Sequence, residues 1–537
     1  MSGTFCELGA LVVYLVILLW IGLRSGRQVQ TSIDYTLAGR NVPWLIVLAT
    51  TAATMVGGGA SVGSVAKVYQ LGLAAAFITA AWHLQLIFTG VFLAPRLRGL
   101  NLITVGNFFE RRFGELARRL SVLNCLVFMG GALVAQMAAI GAITESVLDI
   151  EYQTAVLVGG AVVVFYATVG GIRAVVKTDV LQFVILVGGI ATASAWLLYR
   201  GGGFEQIQQQ LSQLPSSLTQ DQPVFALSGP TWSTTRVVTL FCSFFLGEML
   251  VPAYAVRCFI AKGRRAARWG VAGAGLFLLI FHPIAIFTMG VAARSDEQIS
   301  GQLQQRYDEK LAEQRQERAA ELDDLVRRGV RADVDRVEKE IRDQAAAAAS
   351  QVTFPMLMRS AFPPVFSGVM IAAILAAVMS SADSCLSCVG TIVMEDIYRP
   401  HVNPAASDRT LLAVARWTTL LGGVAAAVAA LVWRDIVDIL EFVYDFWAPT
   451  MVWPFLVGIF WYRRERIAAV VFSMLAGTGA TIVWRFVLES PGDVSPALFG
   501  FAVAVVAWIV ALPLCRQSPT NRWLQPVDGP VGEGEEG

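Results

Sequence analysis

Residues 376–388 read AAVMSSADSCLSC, a run of hydroxyls with one carboxylate inside an otherwise apolar segment. Ser380, Asp383, Ser384 and Ser387 recur at i, i+3, i+4 and i+7, so on a helix they share one face. A lone serine would merely bond the carbonyl four residues back. A stripe of hydroxyl and carboxylate oxygens with no soft donor suits a hard cation. Cys385 and Cys388 in the same helix read as small packing residues, not as a redox or metal pair. Upstream, residues 49–64 read ATTAATMVGGGASVGS. Gly57, Gly58 and Gly59 are poor helix formers and would open the backbone, freeing carbonyls and amides. Irregular backbone at membrane depth is tolerated beside a cavity or within protein. Close packing of small residues is the competing reading. Ser61, Gly63 and Ser64 beside the glycine run favour a broken helix.

Other polar groups stand where lipid would be expected. Glu248 lies mid-run in FLGEMLVPAY, and Pro252 marks a break four residues later. Glu441 and Asp445 sit four apart, near Tyr444 and Trp447, with Pro449 and Pro454 behind them. Glu248 and Asp445, beside Tyr254 and Trp447, are expected to face a central cavity and to favour an amine or ammonium group. Asp179, in GGIRAVVKTDVLQF, has two readings: a site acid, or a helix-start acid partnered by Lys177 or Arg173. His83 and His282 are single histidines in apolar runs and read as structural. No phosphate loop, metal-ligand quartet or nucleophile triad is visible, so enzyme chemistry has no foothold.

The elements that must position these groups follow from composition. The chain has 537 residues, 55% apolar and only 15% charged, against about 25% charged in a soluble protein. With apolar runs of about 18 residues or more throughout, it reads as an all-α polytopic membrane protein. The net charge of +1 gives no hint of nucleic acid. About thirteen spans are expected, at roughly 7–23, 44–66, 73–95, 120–148, 153–172, 178–199, 236–260, 270–293, 364–393, 411–433, 437–461, 467–487 and 496–514. The first lacks a basic leader and a small-residue cleavage site, so it reads as an anchor. Arg24 and Arg27, Arg96 to Arg119, Lys262 to Arg268, Arg463 to Arg466 and Arg516 gather on one side. That bias puts the N-terminus outside and the C-terminus in the cytoplasm.

Residues 295–350 are highly charged, with apolar residues at helical spacing and a break at Gly329. They read as two amphipathic helices in a hairpin on the outer face. The hairpin is either a solvated insertion with no direct role in transport or a lid or docking point for a protein partner. The tail, 517–537, ends in GEGEEG and is too short for a catalytic or signalling domain.

Several pieces, in order and at consistent spacing, give the chain a wider resemblance. They are AGRNVPW (38–44), ATMVGGGASVG with YQLGL (53–73), GGIRAVVKTDVLQ (170–182), AVRCFIAK (255–262), AAVMSSADS with EDIYRP (376–400) and YDFWAPTMVWP (444–454). Over about residues 5–515 the chain resembles the sodium:solute symporter family. The resemblance implies a LeuT-type fold, an inverted five-helix repeat at spans two to six and seven to eleven, with the second and seventh helices discontinuous. It divides the chain into an extra helix and loop (1–43), the first repeat and start of the second (44–294), and the insertion (295–352). The rest of the second repeat (353–461), two accessory helices (462–516) and the cytoplasmic tail (517–537) follow. It implies a Na⁺ site using the carbonyls of Ala53, Val56 and Ala377 and the hydroxyls of Ser380 and Ser381. A further cation, bound in some members, would use Asp179, Asp383 and Ser384. The glycine run and MSSADS look most like the choline-transporting branch, although Met55 and Val251 stand where that branch carries cage tryptophans. Gly59 and Ala60 replace the polar side chains of sugar-type members.

The expected function is Na⁺-coupled symport of a small organic solute through the plasma (inner) membrane, with Met55, Gly57, Gly58, Glu248, Tyr254, Asp445 and Trp447 around the substrate. A proton-coupled carrier of the same fold and a transporter-like sensor or scaffold are the alternatives.

Overall fold

A chain this apolar satisfies its backbone N–H and C=O groups most readily within helices. The computed structural model describes residues 2–515 apart from 149, 202, 204–222, 230–231, 329–330, 462–465 and 492–493. The tail, the Gly329 break and the arginines Arg463, Arg464 and Arg516 therefore lie outside the described residues. Among those described, nine helices are long and apolar enough to cross a membrane, or up to eleven if each of two bent pairs is one span. A shorter apolar helix, Pro496–Ala511, follows them.

The first helix, α1 (Ser2–Gly26), packs against the centre of the bundle. Next comes a bent pair, α2 (Trp44–Met55) and α3 (Gly59–Leu71), meeting at 65° across the glycine run. Helices α4 (Leu73–Phe88) and α5 (Val105–Leu148) lead to α6 (Tyr152–Arg200), whose 49 residues are far more than one crossing needs. Gly171 breaks α6 with φ +53°, a left-handed conformation suited to glycine, and a Cβ there would meet the Tyr35 carbonyl oxygen at 2.6 Å.

Contacts show that α6 doubles back at this break. At its two ends, Tyr152 donates to the Ala430 carbonyl (3.0 Å) and Arg200 to the Ser360 carbonyl (3.0 Å). Beside the bend, Arg173 pairs with Asp34 and Arg416 donates to the Val169 carbonyl. The expected spans at 153–172 and 178–199 thus correspond to two helical arms that meet at the Gly171 break.

The second bent pair, α7 (Thr234–Gly247) and α8 (Pro252–Ile260), meets at 46°, with Pro252 opening α8. Helix α9 (Arg264–Ser295) continues into the charged insertion, which holds three helices and not the two expected. They are α10 (Glu297–Glu317), α11 (Ala319–Arg328) and α12 (Arg331–Ser350). The first arm is interrupted at Arg318, whose side chain turns to Glu321 and Glu340. Ile299, Leu303, Val337 and Ile341 are buried as α10 packs on α12. Gln70 of α3 donates to the Ala346 carbonyl (2.8 Å) and Ser350 (2.9 Å), tying the hairpin to the bent pair.

Helix α13 (Pro364–Ile392) is the axis of the molecule: 83% of its apolar window is buried, against α1, α2, α5, α6 and α8. Helices α14 (Asp408–Val432) and α15 (Ile436–Trp447) follow, and α16 (Ile467–Ile482) pairs with α17 (Pro496–Ala511).

Candidate ion and substrate site

Because α2 stops at Met55, the Val56 N–H reaches the Ala52 carbonyl, but the Ala53 and Thr54 carbonyls have no helical N–H to accept from. The buried stripe of α13 meets them there. Ser380 donates to the Ala53 carbonyl (2.8 Å) and lies equally close to the Ala377 carbonyl. Ser381 donates to the Thr54 carbonyl (2.7 Å). Val56 sits at the break, outside helical backbone (φ −87°, ψ 60°), and is buried. The structure thus brings Ala53, Ala377, Ser380 and Ser381 together, with Val56 adjoining. Carbonyl and hydroxyl oxygens alone make up this set, which fits Na⁺ and offers nothing to a softer metal.

One helical turn along α13 the expectation is less simple. Asp383 accepts from Tyr166 (2.8 Å), and Ser384 donates to the Ser380 carbonyl (2.7 Å). Asp179 and Ser384 do converge, but a guanidinium stands between them. Arg257 Nη2 lies 2.9 Å from Asp179 Oδ2, 2.6 Å from Ser384 Oγ and 2.6 Å from Thr54 Oγ1. Both members of the Asp179–Arg257 pair are fully buried, and Thr50 also donates to Asp179. Neither sequence-expected partner is used: Lys177 reaches Gln28 and Arg173 reaches Asp34.

The central cavity opens between the two bent pairs. Met55, Gly57, Glu248 and Tyr254 line it, joined by Gln136 and Tyr444. Glu248 accepts from Tyr254 (2.8 Å) on one oxygen and from Tyr444 on the other. Tyr254 also contacts the Met55 sulfur at 3.0 Å. Gly58 gives its N–H to Gln136 Oε1 (2.8 Å). Three expected residues do not line the cavity: Gly58, Asp445 and Trp447. Asp445 turns away to pair with Arg485 and accepts the Ala497 N–H (3.1 Å), because the accessory helices pack against α15 on that face. Trp447 is fully buried, its indole N–H on the Met249 carbonyl (2.9 Å) and its ring edge-on to Phe128. The two histidines meet each other: His83 Nε2 is 3.0 Å from His282 Nδ1, and His282 Nε2 contacts the Ala60 carbonyl.

Arg257, Gln136, Thr50 and Thr54 were not singled out by sequence reasoning. A signal existed for two of them, since Arg257 follows Pro252 inside an apolar run and Gln136 interrupts another.

A family model, the sodium:solute symporter family, matches residues 35–305 and 342–477. The chain belongs to the sodium:solute symporter family. The Vibrio parahaemolyticus sodium/glucose cotransporter is 25% identical over 87% of this chain and 83% of its own length. The Haemophilus influenzae sodium/proline symporter is 23% identical over 98% of each. Among solved structures, a Na⁺-coupled sialic acid symporter in a substrate-bound outward-open state superimposes with a TM-score of 0.74. It shares 19% identity and covers 96% of this chain and 99% of its own, a likeness of fold. As a sodium:solute symporter, the protein is a Na⁺-coupled carrier of the LeuT-type fold in the plasma membrane, not an enzyme.

Within this sodium:solute symporter the glycine break and α13 are in close contact. A Cβ on Gly57 would lie 2.5 Å from Ser381 Oγ and 3.1 Å from Gln136 Oε1. Gly57→Ala is therefore expected to push Ser381 off the α2 carbonyls, at a cost of about 1–3 kcal/mol. The half-saturating Na⁺ concentration for uptake should rise about tenfold or more, and an unchanged value would show that this contact relaxes freely.

Proposed function

We propose that the symported solute carries an amine or ammonium group that pairs with Glu248. The observation that supports this is a carboxylate braced by Tyr254 and Tyr444 in a cavity whose lining includes no lysine, arginine or histidine. A buried acid without a counter-cation is costly, and a cationic substrate group offsets that cost. We retain Ala53, Val56, Ala377, Ser380 and Ser381 as the proposed Na⁺ ligands. Asp179 and Ser384 are not carried forward as ligands of a second ion, since Arg257 already meets them. A tenfold Na⁺ gradient gives about 1.4 kcal/mol, and ~100 mV adds about 2.3. One Na⁺ thus drives roughly 500-fold accumulation.

The proposed orientation keeps the N-terminus outside, with the repeats at spans two to six and seven to eleven among thirteen. A protein partner at the insertion is left out of the proposal. Residues 306–341 fall between the two family-matched stretches, and the insertion's buried apolar residues pack between its arms and against the bundle. The test is uptake by proteoliposomes under imposed Na⁺, H⁺ or neither, using amines, betaines, amino acids and neutral sugars. Amine-bearing solutes should accumulate with Na⁺ alone, and Glu248→Gln should cut their uptake about 100-fold, as loss of a buried charge pair does. High-affinity uptake of a neutral or purely anionic solute would end this reading.

A further inference from the structure

The central cavity has an outer neighbour. Gly59, Trp82, Leu440 and Tyr444 line both it and a second cavity, between α3, α4, α7 and α15. Three charged side chains face this outer space: Lys67 from α3, Arg236 from α7 and Glu441 from α15. The Arg236 guanidinium lies over the Trp232 ring, 4.5 Å from its centroid. Among the described residues, neither cation makes an ion pair, although both act electrostatically on Glu441. Both are half-buried, so their charges stand in a partly dry space walled by Trp82, Phe244 and Tyr444.

Among the outer cavity's lining residues two cations stand against one carboxylate, with Asp438 acting on Lys67 from beside the cavity, so the lining itself is net positive. Low-dielectric walls focus such a field on whatever passes through. A solute bearing only an ammonium group would be repelled by Lys67 and Arg236 before reaching Glu248. A carboxylate would be drawn in, with arginine's planar fork suited to hold it. The two cavities in series therefore present opposite charges along one path, positive outside and negative within.

We infer that the outer cavity is a carboxylate subsite built on Lys67 and Arg236, which selects zwitterions over bare amines. This deepens the reading of Glu248 and rests on it for the amine half of the ligand. Repulsion of the wrong ligand does as much of the selecting as attraction of the right one.

Matched pairs of probes that differ in the carboxylate test it: glycine betaine with choline, proline with pyrrolidine, and lysine with cadaverine. Each is titrated against thermal stability of the purified full-length protein in saturating Na⁺. The wild type should be stabilised by at least one zwitterion and far less by its partner amine. Lys67→Gln with Arg236→Gln should weaken the zwitterion about tenfold or more and narrow the gap to the amine. Lys67→Arg with Arg236→Lys, which keeps both charges, should retain most of the preference. Glu248→Gln should weaken zwitterion and amine alike. A preference that survives loss of both cations overturns the subsite, and so does a wild type that responds to no zwitterion. If Glu248→Gln leaves binding intact while the double charge variant weakens it, the amine reading fails and the outer subsite stands.

Discussion

Replacing Ser380 and Ser381 together by alanine is expected to abolish Na⁺-dependent uptake while the chain still folds. Both hydroxyls are neutral and buried, and each donates to a carbonyl at the end of α2. Losing them removes about 1 kcal/mol of net hydrogen bonding apiece, well short of what a bundle of this size needs to unfold. For a bound ion the loss is larger. Two of five proposed oxygens disappear, and the remaining carbonyls of Ala53, Val56 and Ala377 cannot complete a dehydrated shell. A rise of about 100-fold or more in the Na⁺ required is the expected result, on the scale of lost contacts to a charge. Uptake against Na⁺ concentration, with thermal unfolding of the same preparation, checks it. A folded double variant with the wild-type Na⁺ curve would remove these serines from the ion site.

What the sequence made legible was local. Hydroxyls inside an apolar run, three glycines in a row and a proline after Glu248 each break a rule of membrane helices within a few residues. Each falls where the structure has a bend or a cluster of buried oxygens. What it hid was pairing across distance. Arg257 and Asp179 are 78 positions apart, so a reader of sequence turns instead to Lys177 and Arg173 on the acid's own helix. Asp445 shares a helix face with Glu441 by spacing, yet its cation, Arg485, comes from the accessory helices and draws it away from the cavity. Gly171 shows the opposite case. Two spans were readable there, but that they meet directly at a left-handed glycine depends on backbone geometry that composition does not carry. Helix α11 in the insertion was missed because charge density and apolar spacing do not register a one-residue interruption at Arg318.

Arg257 carries the second large prediction. Its partner Asp179 is fully buried with it, and its other contacts are Thr54, Ser384 and the Ala253 carbonyl. Removing one member of such a pair leaves an uncompensated charge in the interior, which costs about 3–5 kcal/mol. Arg257→Met should therefore be strongly destabilised. Arg257→Met with Asp179→Asn, a neutral pair, should recover most of that loss. The same charges bear on the ion count. With the guanidinium on Asp179 and Ser384, Asp383 makes no ion pair among the described residues, and a single Na⁺ at the proposed serine site would balance it. Wild-type uptake should then depend on Na⁺ with a Hill coefficient of about one. Without the guanidinium, Asp179 and Asp383 stand together as two negative charges, and a second cation gains a reason to bind. The single variant should gain stability steeply as Na⁺ is raised, and its Hill coefficient should move toward two. The double neutral variant should return to one. A wild-type coefficient near two would show that Arg257 does not take the second ion's place. Insensitivity of Arg257→Met stability to Na⁺ would make the pair a purely structural one.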